Sequence, residues 1–318
     1  MTPGTAHFQA RPLRPGLLYF YRCKLMWANL LRLSRWKEHI PFTVPATLLG
    51  VNMAAATHPD SVTLDGRVII VCAANVLAVT CAFMINDVED AADDARDPAR
   101  AARNPVASGD LSRRAGWGAS LVVGALALAL YAVLTREAFW AGVLTVILAG
   151  LYSWRRVRLK ALPVVDVVSH ALMLSALLVL VGYLAYDAGP GRVWWVVLGA
   201  GLVSVYGQLY NQVRDYDLDR AAGLRNTASV IGPRRARRWM YAALVGAAGC
   251  LAITLLMGLW PLWLLVVPVG VLPLWLVWRP VSDMRGSAAV DLSGRAQHLF
   301  FVAATLLTLV WLGANAFA

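Results

Sequence analysis

The chain has 318 residues, of which 59% are hydrophobic and 15% charged, with 29 Lys and Arg against 18 Asp and Glu for a formal charge of +11. Its apolar share lies above the soluble norm of about 45–50%, which argues against a soluble single-core enzyme. A disordered chain, a collagen-like fibre and a disulfide scaffold fail as well. Polar low-complexity sequence and a Gly-X-Y period are missing, and Cys23, Cys72, Cys81 and Cys250 are scattered without CxxC spacing.

Residues 1–39 read as a cytoplasmic tail. Within it Leu17, Leu18, Phe20, Leu25, Trp27, Leu30, Leu31 and Leu33 interleave with Arg22, Lys24, Arg32, Arg35 and Lys37, the pattern of an amphipathic helix in the membrane interface. A cleaved signal peptide does not fit, because the first long apolar run begins too late. Residues 40–318 then carry nine apolar runs, each near the length of about 17–25 residues that a bilayer crossing needs. They cover 40–56, 68–85, 117–134, 138–154, 164–186, 193–210, 239–256, 262–278 and 299–317. The expected fold is an all-α polytopic membrane protein, a nine-transmembrane-helix bundle.

The basic residues test that topology, since cytoplasmic loops are enriched in them. Taking loops alternately, 26 of the 29 Lys and Arg fall on the side of the N-terminal tail, and only Arg67, Arg136 and Arg192 on the other. This places the N-terminus in the cytoplasm and the C-terminus outside. The composition, rich in Ala, Leu and Arg, suits a bacterial plasma membrane. Positive charge confined to one membrane face suits anionic lipid headgroups or a phosphorylated substrate. No basic module of soluble size exists for nucleic acid, and no obligate protein partner is evident.

Acidic residues concentrate in two short stretches on that same basic face. The first, Asn86-Asp87-Val88-Glu89-Asp90-Ala91-Ala92-Asp93-Asp94, follows the second apolar run. The second, Asn211-Gln212-Val213-Arg214-Asp215-Tyr216-Asp217-Leu218-Asp219, follows the sixth. If each helix continues for two turns, Asp87, Asp90 and Asp94 share an arc of about 60°, and Asn211, Asp215 and Asp219 one of about 80°. Such stripes repel themselves, and a divalent cation removes the repulsion. Oxygen ligands without nearby His or Cys favour a hard ion, and magnesium shares its positions with substrate phosphates. Arg96, Arg100, Arg103, Arg113, Arg114, Arg155, Arg156, Arg158, Lys160 and Arg225 supply cations around the stripes. Asp93 and Asp217 point off the stripes and read as solvated.

At these residues the chain resembles the UbiA superfamily of intramembrane prenyltransferases. Asn86, Asp87, Asp90 and Asp94 meet its NDxxDxxxD motif, and Asp215 and Asp219 its DxxxD motif. Arg220, Gly223 and Thr227 resemble the DraaGxxT continuation, with one extra residue before the threonine. Tyr152-Ser153 and Arg158-Leu159-Lys160 resemble YSxPPxRLK, although Trp154-Arg155-Arg156 replaces the prolines. Arg103-Asn104-Pro105-Val106-Ala107-Ser108-Gly109 resembles RPxPSG with an insertion.

The resemblance implies a nine-helix bundle with a central cavity opening into lipid, cytoplasmic cap loops, and an allylic prenyl diphosphate bound through Mg2+. Ionising its C–O bond leaves negative charge on diphosphate, which metal and Arg or Lys stabilise, and an allylic cation that needs a dry pocket with aromatic faces. Asp87, Asp90, Asp94, Asp215 and Asp219 are the expected metal ligands, and Asn86 and Asn211 orient metal-bound water or diphosphate oxygens. Arg103, Arg158, Lys160 and Arg225 clamp the diphosphate. Tyr152 joins the substrate site through its motif, and Tyr206 and Tyr210 line the prenyl channel one and two turns before Asp215.

The expected reaction is prenyl transfer to a lipophilic acceptor, whether aromatic, quinonoid or lipid. The same fold also allows a terpene cyclase or an isoprenoid-hydrocarbon (carotenoid) elongase. A cation or lipid transporter fits less well, because it expects charge at the bilayer midplane and broken helices. Asp166 and His170, spaced i, i+4 in the fifth run, read either as an acid or base acting on the acceptor or as a helix cap and an interhelical hydrogen bond.

Overall fold

Long apolar runs bounded by charge have one low-energy form in a bilayer, the helix, which satisfies every backbone polar group within the segment. The computed structural model describes residues 15–265, apart from 60, 61, 64, 187, 188, 190 and 222, together with 303–316, and every regular element among them is helical. The tail forms α1 (Pro15–Ser34), and α2 (Trp36–Thr57) follows after a single left-handed residue, Arg35 (φ 49°). Next come α3 (Arg67–Asp94), the short α4 (Pro98–Arg103), α5 (Arg113–Tyr131) and α6 (Arg136–Ser153). The fifth apolar run is one span built from α7 (Val165–Ala171), a π-turn (Leu172–Ala176) and α8 (Leu177–Leu184). The chain continues with α9 (Val193–Arg214), α10 (Tyr216–Ala221), α11 (Thr227–Ile231) and α12 (Pro233–Leu256). Residues Ala303–Ala316 form α13.

Six of these spans are long and apolar enough to cross a membrane: α2, α3, α5, the α7–α8 span, α9 and α12. Helix α6 adds 18 residues that pack against α3, α5 and α8. Most of the expected eighth crossing, 262–278, and the start of the ninth lie outside the described residues. Loop composition explains where several helices begin. The side chains of Ser112, Thr135 and Asn226 accept hydrogen bonds from Ala115, Ala138 and Ser229 amides, each satisfying an orphan donor of a helix start.

Helix α3 runs through the centre, touching α2, α5, α6 and α8, while α9 packs on α7 and α12. The α2–α8 crossing depends on two glycines. A Cβ on Gly50 would lie 2.0 Å from the Val179 carbonyl oxygen, and one on Gly182 would lie 2.3 Å from that of Thr47, so only glycine lets these backbones meet. Beside the crossing, Asn75 of α3 donates to Thr47 Oγ1 (2.8 Å) and the Leu178 carbonyl (3.1 Å) and accepts from the Tyr131 hydroxyl (2.7 Å). This polar knot joins α2, α3, α5 and α8, and in a bilayer each such bond contributes about 0.6–2 kcal/mol. Asn52 of α2 tethers α13, donating to Thr308 O and accepting from Asn315 Nδ2, both at 3.0 Å.

Candidate active site

Helix α3 continues without a break through the first acidic motif to Asp94, as the spacing predicts. Its carboxylates meet nitrogen donors from several other elements. Asp87, fully buried, accepts from Arg35 Nη1 at 3.1 Å. Arg35 reaches it because its left-handed backbone turns the chain between α1 and α2, and its guanidinium also lies 4.7 Å from the Phe83 ring centroid and pairs with Glu38. Asp94 accepts from Asn104 Nδ2 at 2.9 Å, and the same amide group donates to the Asp87 carbonyl at 2.7 Å. Asp90 pairs with Lys160 Nζ, which also donates to Asn86 Oδ1 at 2.9 Å, and Ser153 Oγ donates to that same oxygen at 2.9 Å. Arg158 lies 3.7 Å from Asp90 and 3.5 Å from Asp93. Arg158, like Arg35, has positive φ (49°), a conformation costly for a residue with a Cβ, and both left-handed arginines face this motif.

The second motif behaves differently. A continuous stripe through Asp219 is not what forms: α9 stops at Arg214, Asp215 leaves helical geometry (φ −91°, ψ 10°), and α10 starts at Tyr216. Asp215 is held by its own neighbour, with Arg214 Nε and Nη2 at 2.9 and 2.8 Å from its two oxygens. Across the kink two helical bonds remain, from the Asp215 amide to the Asn211 carbonyl at 2.9 Å and from the Asp219 amide to the Asp215 carbonyl at 2.8 Å. Asp219 accepts from Asn226 Nδ2 at 2.7 Å. Burial, and then the charge of Asp215, push the Asp219 carboxyl up to about 6, against the opposing pull of Asn226, Arg100 and Lys160.

Two groups relate the motifs. Lys160 bonds Asp90 and acts electrostatically on Asp219. Tyr152, whose hydroxyl accepts from Gln208 Nε2 at 2.9 Å, lies within electrostatic reach of both Asp90 and Asp219. Among the described residues, no three Asp, Glu, His or Cys side chains gather around one point. Each carboxylate turns to a nitrogen donor, because like charges held side by side repel.

The residues nonetheless suit a hard cation and a phosphate. Among the described residues five buried side-chain polar atoms lack a hydrogen-bond partner, and three of them lie here: Asp87 Oδ2, Asp90 Oδ1 and Arg158 Nε. A buried donor or acceptor left unmade costs about 1–3 kcal/mol, so carboxylate oxygens on Asp87 and Asp90 and a guanidinium nitrogen on Arg158, all without a hydrogen bond, suit groups that complete their bonding on a ligand.

The remaining predicted residues lie around this core. Arg103, half-exposed at the end of α4, is 4.0 Å from Glu38 and acts on Asp87. Asn211 sits in the last turn of α9 with its carbonyl bonded to the Asp215 amide. Arg225 is exposed on the segment after α10. Tyr206 stacks on Tyr210 at 6.4 Å, and both pack against an apolar cluster that includes Val167, Leu209, Val213 and Met240. Asp93 is not simply solvated, since Arg155 Nη2 approaches it at 3.0 Å in addition to Arg158.

Several functional partners escape sequence reading. Arg35 stood in the tail as one interfacial cation among five. Glu89 is buried and binds Arg113 at 2.7 Å and the Arg155 amide at 3.1 Å, fastening the segment after α6 onto α3. Asn104, fully buried in the structure, carried only a faint signal in the sequence, as a member of the loop motif it shares with Arg103.

Known proteins supply the comparison. The family model described as the UbiA prenyltransferase family matches residues 43–304. A lycopene elongase/hydratase of Haloferax volcanii is 33% identical over 186 residues, 56% of this chain and 59% of that protein, so the match spans under two thirds of the relative's length. A UbiA homolog from Archaeoglobus fulgidus bound to GPP and Mg2+ superposes with a TM-score of 0.72 at 22% identity, covering 91% of this chain and 100% of the other. The same homolog bound to DMAPP and Mg2+ superposes with a TM-score of 0.70 at 22% identity, covering 91% and 99%. With the family model matched over most of the chain, the helical fold shared and both acidic motifs at helix ends, the protein is an integral membrane member of the UbiA prenyltransferase family.

Proposed function

We propose that this protein transfers a prenyl group from an allylic prenyl diphosphate to a lipophilic acceptor, at a site on the cytoplasmic face of a nine-helix bundle. The observation that carries this reading is an Asp90 oxygen without a hydrogen bond beside Arg158 and Lys160, with a second such oxygen on Asp87 one turn earlier on α3, next to Arg35. Asp87, Asp90, Asp94, Asp215 and Asp219 would hold Mg2+, a Lewis acid that stabilises charge developing on the diphosphate. Asn86 and Asn211 orient oxygens of the headgroup or its bound water.

Lys160 and Arg158 neutralise the leaving group as its charge grows, with Arg35, Arg103 and Arg225 at the rim. Because Lys160 is already fixed by Asn86 and Asp90, it needs no reorganisation at the moment of ionisation. On the membrane side Tyr152, Tyr206 and Tyr210 present aromatic faces to the allylic cation, and the apolar bundle excludes water. The cap segments, 95–112, 154–164 and 215–232, close the headgroup side, with the N-terminus cytoplasmic, α1 in the interface and the C-terminus outside.

Among acceptors, similarity to a lycopene elongase/hydratase favours an isoprenoid hydrocarbon over a phenol. The test is mass spectrometry of products from the purified chain in nanodiscs, given Mg2+, prenyl diphosphates of several lengths, and phenolic, quinonoid and carotenoid acceptors. Prenylated acceptor supports the reading, and elongation of carotenoid alone selects the hydrocarbon branch. A cyclic hydrocarbon formed without acceptor selects cyclisation. Cation flux with no consumption of diphosphate would overturn prenyl transfer.

A further inference from the structure

Asp166 belongs to neither acidic motif, yet it is fully buried in the first turn of α7 and collects four hydrogen bonds. Its Oδ1 accepts from the Val167 amide (2.8 Å) and the Thr227 hydroxyl, and its Oδ2 from Gln212 Nε2 (2.6 Å) and the Thr227 amide (2.7 Å). A carboxylate offers about four lone-pair directions, and all are taken. No direction remains for a substrate proton, which removes the acid or base role that the residue type allowed.

The partners are equally committed. Thr227 Oγ1 accepts from the Val164 amide at 2.7 Å, and Gln212 Oε1 from the Ala228 amide at 3.0 Å. Val164 itself has φ 70°, a costly conformation for a β-branched residue, at the junction between the Arg158–Lys160 segment and α7. Next to Thr227 stands Asn226, whose side chain donates to Asp219. One buried carboxylate therefore ties the segment bearing Lys160 to the segment bearing Asp219.

We infer that Asp166 is a positioning residue, which holds Asp219 in register with Lys160 and Asp90 through Thr227 and Asn226. The inference rests on the proposed function, because the register matters only if both motifs serve one metal–diphosphate headgroup. Replacing Asp166 with Asn sets an NH2 group against converging donors and leaves at least two of them unmatched. The exchange leaves untouched the apolar cluster of Val167, Leu209, Val213, Ala228, Ala236 and Met240 that packs α7, α9 and α12, so folding is expected to survive a loss of register.

The experiment uses the full chain in nanodiscs and follows Mn2+ binding by electron paramagnetic resonance in saturating inorganic pyrophosphate, alongside the thermal unfolding midpoint. Asp166→Asn is expected to weaken Mn2+ binding about tenfold or more, the usual cost of losing a group that orients a metal ligand. It should raise the Mg2+ needed for half-maximal turnover by a similar factor, with a smaller change in kcat at saturating Mg2+. Thr227→Val, which removes only the hydroxyl, should shift binding in the same direction, and Thr227→Ser should restore it. Adding Asn226→Ala to Asp166→Asn should cost little more, because both break one chain of contacts. Wild-type Mn2+ binding in both Asp166→Asn and Thr227→Val overturns the inference, as does lost turnover at every Mg2+ concentration with binding intact. Absence of Mn2+ binding in the wild-type protein overturns the proposed function and this inference with it.

Discussion

The two acidic motifs begin with the same asparagine-led spacing but are neutralised in different ways. Around Asn86–Asp94 the cationic partners arrive from far along the chain, Arg35 from the α1–α2 junction and Arg158 and Lys160 from after α6, while Asn104 reaches Asp94 from ten residues on. Around Asn211–Asp219 the partners are close neighbours in sequence, Arg214 for Asp215 and Asn226 for Asp219. The first motif is thus a product of bundle assembly on an unbroken helix. The second is a local kink whose placement relies on the buried tie through Asp166. Buried pairs whose partners come from different elements are costly to break, because the surviving charge stays buried, whereas partly exposed neighbours contribute little.

Substitutions test that contrast. Asp90→Ala and Asp215→Ala should each lower product formation about 10³-fold, the scale of losing a principal electrostatic contact in a transition state. Circular dichroism should show the helices intact, and turnover within tenfold of wild type in either variant would refute the metal-ligand assignment. Lys160→Ala should cost about 10²-fold in kcat, whereas Arg214→Ala should cost less than tenfold, since its pair is partly exposed (27% and 29%) and sequence-local. Equal losses in these two would erase the distinction between the motifs.

Stability sharpens it further. Asn104→Ala removes hydrogen bonds to the Asp87 carbonyl and to Asp94 inside a buried site, and should destabilise by about 2 kcal/mol in chemical denaturation. Arg214→Ala should change stability by less than about 1 kcal/mol in the same measurement.

A further effect concerns pH. Burial first and the charge of Asp215 second push the Asp219 carboxyl up to about 6, above its ordinary value of 3.8. A carboxyl raised in the folded state favours folding when protonated. Its contribution is therefore complete below about pH 4 and fades as pH rises through about 6. Metal binding requires the ionised form, so the Mg2+ needed for half-maximal turnover should rise up to about tenfold per pH unit below 6. A flat Mg2+ requirement between pH 5 and pH 7 would remove Asp219 from the ligand set.

Much of this protein follows from local rules. Helix α3 was readable to its last residue because apolar content, uninterrupted helix-forming sequence and the i, i+3 and i+4 acids all agree along one segment. The break at Asp215 was not, since the same spacing suits a continuous helix and a kinked one, and the Arg214–Asp215 contact found at the break is not encoded in the periodicity. Glu89 was indistinguishable from its acidic neighbours until the Arg113 and Arg155 segments were brought against it.

The sequence by itself determined the membrane class and the approximate extents of most described helices. These depend on transfer of side chains into hydrocarbon and on helical periodicity, and both act within a few turns of chain. Only the tertiary structure decided that Arg35 meets Asp87 across 52 residues and that Asp166 meets Thr227 across 61. Such pairings are chosen by which helices pack together and by the need of each buried charge to find a partner, a condition that no single segment can satisfy alone.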